Sequence, residues 1–157
     1  MADGILKITL PNFNEPNEQG QDCYDVLARI NENKVGEYSI HLFDRYDFIE
    51  QTSYEHQGFC FFARRLEFHE IPYLNYDGSI IFVLDNLKFD NSFSVNHQIA
   101  FLKNSVKKIA SKLTEEIADI YAISTEDSVD VYKGAGFEVL DSDEIYGTWM
   151  HYIKPRE

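Results

Sequence analysis

The sequence predicts an α/β (α+β) fold in which a central sheet is flanked by helices. Short apolar runs of strand length recur along the chain, bounded by Asn, Gly and Pro. Ile99, Leu102, Val106, Ile109 and Leu113 recur at three- and four-residue steps, the spacing of a helix with one buried face. Ile117 to Phe137 (IADIYAISTEDSVDVYKGAGF) then joins a buried strand, a polar turn, a short helix and a glycine stop.

Taken in order, Ile5 to Leu10 alternates apolar and polar residues and ends at Pro11, as a first strand does. Asn12 to Gln21 is polar and carries Pro16 and Gly20, a loop. Tyr24 to Ile30 and Val35 to Phe43 are strand-like runs separated by Asn31 to Lys34, with asparagine at two turn positions, which predicts a hairpin. Residues 44–77 form an aromatic-rich insertion, within which Gln51 to Phe68 reads as a helix or as two strands meeting at Gly58. A long connection of this kind inside one domain is often functional.

Ser79 to Phe89 begins as a continuous apolar run and then alternates, a central strand that turns toward an exposed end. Asn91, Ser92 or Ser94 is placed to cap the helix from Ser94 to Leu113, and Lys103, Lys107, Lys108 and Lys112 lie on or near its other side, complementing the dipole. Ile117 to Ser124 is short and apolar, as a strand covered on both faces is. Thr125 or Ser124 is expected to cap the next helix, with Glu126 and Asp127 in its first turn, and Gly134-Ala135-Gly136 to end it through left-handed backbone. Phe137 to Asp141 then opens a further strand.

One domain over residues 1–157 is the simplest organisation for this length. The 44% hydrophobic content, with 12 Phe and 10 Tyr, excludes disorder. The formal charge of −13 disfavours direct nucleic-acid binding, which needs Lys and Arg to neutralise phosphates. Such a field attracts a cationic small molecule or a basic protein, or it serves solubility alone. Cys23 and Cys60 lack metal-ligand spacing, so no metal site is expected. The N-terminus has no basic-then-apolar leader and no run reaches the ~20 apolar residues of a membrane span, so a cytoplasmic protein is the expectation.

Tyr132-Lys133-Gly134-Ala135-Gly136-Phe137, followed by Glu138-Val139, resembles the Tyr-x-x-x-Gly-Phe signature near the C-terminus of the GNAT superfamily of acyl-CoA N-acyltransferases. The order of elements over residues 79–154 resembles that family as well, with Phe137 to Asp143 and Thr148 to Lys154 as its last two strands, and implies its mixed, mostly antiparallel central sheet. The resemblance implies acetyl-CoA as cofactor, with its pantetheine arm between the central strand and the Ile117 strand. It further implies Tyr132 as the acid that protonates the leaving thiolate, and a carboxylate near the end of the central strand, Asp85 or Asp90, as the base that deprotonates the amine. Glu67 and Glu70 are outlying candidates for that base. A core tyrosine and solvated surface acids are the plain alternatives for the same residues.

In the family, a glycine-rich loop and a helix N-terminus bind the cofactor's pyrophosphate through backbone amides. Here that place reads Phe93-Ser94-Val95-Asn96-His97-Gln98, with neither glycine nor arginine. The implied cofactor-binding residues are therefore Leu87 and Phe89 on the strand, Ser94, Asn96, His97 and Gln98 at the helix start, and Thr125 and Ser128 beyond the Ile117 strand. The family places two helices between its first strand and the hairpin. Only the Asn12–Gln21 loop stands there in this chain, so the aromatic insertion is expected to replace them over the active face. The functions expected are an N-acyltransferase for a cationic acceptor, or a non-catalytic acidic protein that engages a basic partner. A weaker third is self-association through an exposed strand, with the insertion at the interface.

Overall fold

The computed structural model describes residues 5–11, 23–44, 80–112 and 117–152. The insertion at 44–77, Glu67 and Glu70 therefore lie outside the described residues, apart from the insertion's first residue, Asp44. The elements are β1 (Leu6–Thr9), β2 (Cys23–Ile30), β3 (Asn33–Asp44), β4 (Ile80–Phe89), α1 (Val95–Lys112), β5 (Ile117–Ser124), a 3₁₀ turn (Glu126–Ser128), α2 (Val129–Gly134), β6 (Phe137–Asp143) and β7 (Gly147–Tyr152). They form a seven-stranded sheet of order β1-β2-β3-β4-β5-β7-β6. Every pair is antiparallel except β4 and β5, whose parallel connection runs through α1.

The β2–β3 hairpin is tighter than the sequence suggests. Asn31 and Glu32 alone make the turn, with φ of 51° and 68°, while Asn33 and Lys34 already pair with β2. Positive φ at both central residues matches the right-handed twist of the flanking strands. A second difference lies ahead of α2, where neither Thr125 nor Ser124 caps a backbone amide. Ser124 Oγ donates to the Thr125 carbonyl at 2.7 Å, and the Ser128 N–H closes a 3₁₀ turn onto that same carbonyl at 3.1 Å. The polar run TEDS thus makes a separate turn before the helix proper begins at Val129.

One face of α1 carries Leu102, Val106 and Ile109, joined by Phe101 and Ala110, and packs on Val26, Tyr38, Ile40, Phe82 and Leu84 of the sheet. Lys103, Lys107 and Lys108 face solvent, as the periodicity predicts. Burial of each large apolar side chain contributes about 1.5–3 kcal/mol, so this stripe holds the crossover against the sheet. Val131 and Tyr132 of α2 and Ala135 at its C-terminal cap complete the same core with Phe137, Met150 and Tyr152. Tyr38 reaches from β3 to α1, where its hydroxyl shares a 2.7 Å hydrogen bond with Ser105, and Ser105 Oγ in turn donates to the Leu102 carbonyl. On the opposite face, Tyr121 is stacked between Trp149 and His151 at 5.0 and 5.1 Å.

Candidate active site

The middle of the sheet opens where β4 and β5 part. Their parallel pairing runs from Ile80–Ile117 to Leu84–Ala122 and then ends. Beyond that point Asp85, Lys88 and Phe89 of β4 pair only with β3, and Ile123 and Ser124 of β5 only with β7. The cause is local. The β3–β4 register slips between Glu37 and Ser39, and Asn86 takes φ +56°, a left-handed conformation that asparagine tolerates. Asp85 secures this bulge by accepting the Asn86 amide on Oδ1 at 2.8 Å.

Tyr132 of α2 is fully buried, edge-on to Phe137 at 5.2 Å. Its hydroxyl has no hydrogen-bond partner among the described residues. Burial first, then the Asp85 carboxylate and Tyr38, push its pKa well above the ordinary phenol value, so it keeps its proton through the physiological range. The Asp85 carboxylate is thus one of the groups whose charge Tyr132 feels. Asp90 is placed differently. It is exposed, and its side chain accepts the Ser92 amide at 3.2 Å in the turn that leads to α1.

At the start of α1, Ser94 is the cap. Its Oγ accepts the His97 amide at 3.2 Å and shares a 2.9 Å hydrogen bond with His97 Nδ1. The Gln98 side chain donates to the Phe93 carbonyl at 2.9 Å and so ties the loop to the helix. Phe93, 5% exposed, turns into the core against Phe89 at 5.7 Å, and the exposed His97 ring lies on it at 5.6 Å. Asn96 is exposed, and the Val95 and Asn96 amides have no partner among the described residues. Leu87 is half-buried on β4, whereas Thr125 and Ser128 hydrogen-bond to each other at 3.3 Å beyond β5. Among the described residues no group of His, Cys, Asp and Glu is arranged to hold a metal, and no helix is long and apolar enough to cross a membrane.

A mixed sheet whose one parallel pair parts at its C-terminal end, with a helix start on one side of the gap and a short helix before the last hairpin, is a GNAT-like fold. No family model matches the sequence, and no curated protein matches it. Among solved structures, the chain is similar to a bacterial toxin at 14% identity, over 85% of this chain and 69% of that one, with a TM-score of 0.52. It is similar to the aminoglycoside acetyltransferase AAC(6')-Ib, in complex with paromomycin and acetyl-CoA, at 11% identity and a TM-score of 0.52. That match covers 84% of this chain, which spans 65% of the length of AAC(6')-Ib. Arabidopsis thaliana NAA60 in complex with acetyl-CoA is similar at 13% identity over 85% of this chain and 75% of that one, with a TM-score of 0.52. At these identities the likeness is one of fold.

Proposed function

We propose that this chain is an acyl-CoA-dependent N-acyltransferase acting on an amine of a cationic small molecule or protein. The observation that carries the reading is the parting of β4 and β5 together with Tyr132, whose buried hydroxyl lacks a partner among the described residues. An orphaned buried hydroxyl costs about 1–3 kcal/mol, a cost that a hydrogen-bonding ligand atom reaching it would relieve. Acetyl-CoA, which neighbours of this fold hold in their structures, would supply the acyl thioester. The Val95 and Asn96 amides with Ser94, His97 and Gln98 would hold its diphosphate, and Leu87, Phe89, Thr125 and Ser128 would flank the rest. Asp85 takes the proton of an ammonium acceptor, since it lies at the bulge where the strands part, with Asp90 as the alternative from the following turn. Tyr132 Oη keeps a proton available for a departing sulfur. The acidic surface favours an acceptor that carries positive charge.

A second reading, a non-catalytic acidic protein that engages a basic partner, is favoured by the α1 N-terminus. No glycine lets the backbone approach a diphosphate there, and Ser94 already takes the His97 amide. Thermal unfolding with acetyl-CoA, followed by a thiol-release assay with a polyamine and a lysine-rich peptide as acceptors, separates the two. A raised Tm and released thiol are expected, since a ligand at a hundred times its Kd stabilises by about 2.7 kcal/mol. An unchanged Tm at millimolar acetyl-CoA overturns the transferase reading, and a salt-sensitive complex with a basic protein and no thiol release establishes the other.

A further inference from the structure

We propose that the outer edge of β6 is a docking strand for an extended, lysine- or arginine-bearing segment of a partner protein, which extends the sheet by pairing with it. β6 is the last strand of the sheet, and among the described residues no strand pairs with its outer side. An unpaired strand edge is a row of backbone donors and acceptors ready to take another chain. Apolar side chains accompany it. Val139 is 44% exposed, Leu140 46% and Ile145, in the turn beyond, 83%. Glu138, Asp143 and Glu144 frame them and make no ion pair among the described residues.

The charge decides the occupant. Two copies of this chain pairing β6 to β6 would set these acids against one another, and like charges opposed across strands destabilise the pair. A strand bearing lysine or arginine meets the same edge with opposite charge, while its alternate apolar residues cover Val139 and Leu140. The bulge at Leu140 breaks the register between Val139–Met150 and Asp141–Trp149. It limits the paired length on either side, so the complex forms and dissociates readily and depends on salt. The proposal stands on the edge alone and is independent of acyl transfer.

Amide NMR spectra and hydrogen exchange of the full chain test it, with two synthetic probes: a short peptide alternating lysine and valine, and its glutamate-valine counterpart. The lysine peptide is expected to shift and protect amides of Glu138 to Asp143, and the glutamate peptide to leave them unchanged. The double variant Glu138→Lys, Glu144→Lys is expected to weaken binding by about tenfold or more. Both side chains are exposed, so the variant's Tm should be no lower than that of the parent. Binding of neither peptide would mean that the charges only guard the edge, and would overturn the proposal. Equal binding of both peptides, or protection mapped elsewhere, would overturn it too. A self-associated species in sedimentation that Ile145→Lys disperses would make a second copy the occupant and would likewise overturn it.

Discussion

Under the proposed transfer reaction, Tyr132 is the residue at which stability and chemistry make opposite demands. A buried hydroxyl without a partner weakens the fold, so Tyr132→Phe is expected to keep or raise the Tm while lowering any transfer rate by about 10²-fold or more, measured by thiol release. Tyr38 is the matched control. Its hydroxyl bonds Ser105 in the core, so Tyr38→Phe should cost about 1 kcal/mol in denaturant unfolding. Both phenols, and that of Tyr152, have their pKa raised above the ordinary phenol value, chiefly by burial. A raised native value means that the folded chain holds its protons where the unfolded one loses them. The stability these groups contribute is whole below about pH 10 and falls as pH rises toward the native values. Phenolate absorbance recorded alongside unfolding between about pH 8 and 11 should show ionisation and unfolding together, whereas phenolate appearing in a still folded protein would contradict it. Tyr132 was legible as a candidate because it opens a short motif. Asp85 was one acid among several, because a bulge that brings a carboxylate near a distant helix leaves no periodic trace.

At the level of elements, the strand-helix-strand unit at the C-terminus depends on two glycines with different jobs. Gly136 has φ +104° and turns the chain from α2 into β6, as the end of the predicted helix requires. Gly136→Ala should cost about 1–2 kcal/mol, roughly 2–8 °C in Tm by calorimetry, because L-residues disfavour that backbone. Gly134 lets α2 approach α1, where an added Cβ would lie 2.8 Å from Ile99 Cδ1. Ile99 Cγ2 and Cγ1 would lie at 3.0 and 3.1 Å as well, so the whole side chain must give. Ile99 is only half-buried, so Gly134→Ala should cost less than Gly136→Ala, and the reverse order would show that packing outweighs backbone strain here. The helical spacing made α1 readable, since one buried stripe fixes its period. The separate 3₁₀ turn before α2 was not readable, because Thr125 and Ser124 have cap chemistry yet bond to the turn itself.

For the molecule as a whole, charge is the leading quantity. With a formal charge of −13, folding gathers acids that the unfolded chain holds further apart. Raising the ionic strength from about 0.01 to 0.15 M shortens the screening length from about 30 to 8 Å, and the Tm is expected to rise. A fall or no change would mean that the acids are spread evenly enough not to repel. The order and kind of the main elements, the amphipathic face of α1 and the acidic character were determined by the sequence itself, because composition and hydrophobic periodicity are local and survive without neighbours. Where β4 and β5 part, which carboxylate meets Tyr132, and which strand is left at the sheet's edge were decided only by the tertiary structure. Each depends on a register or a bulge between strands far apart in the chain, and a single-residue slip there changes what meets without altering the local pattern.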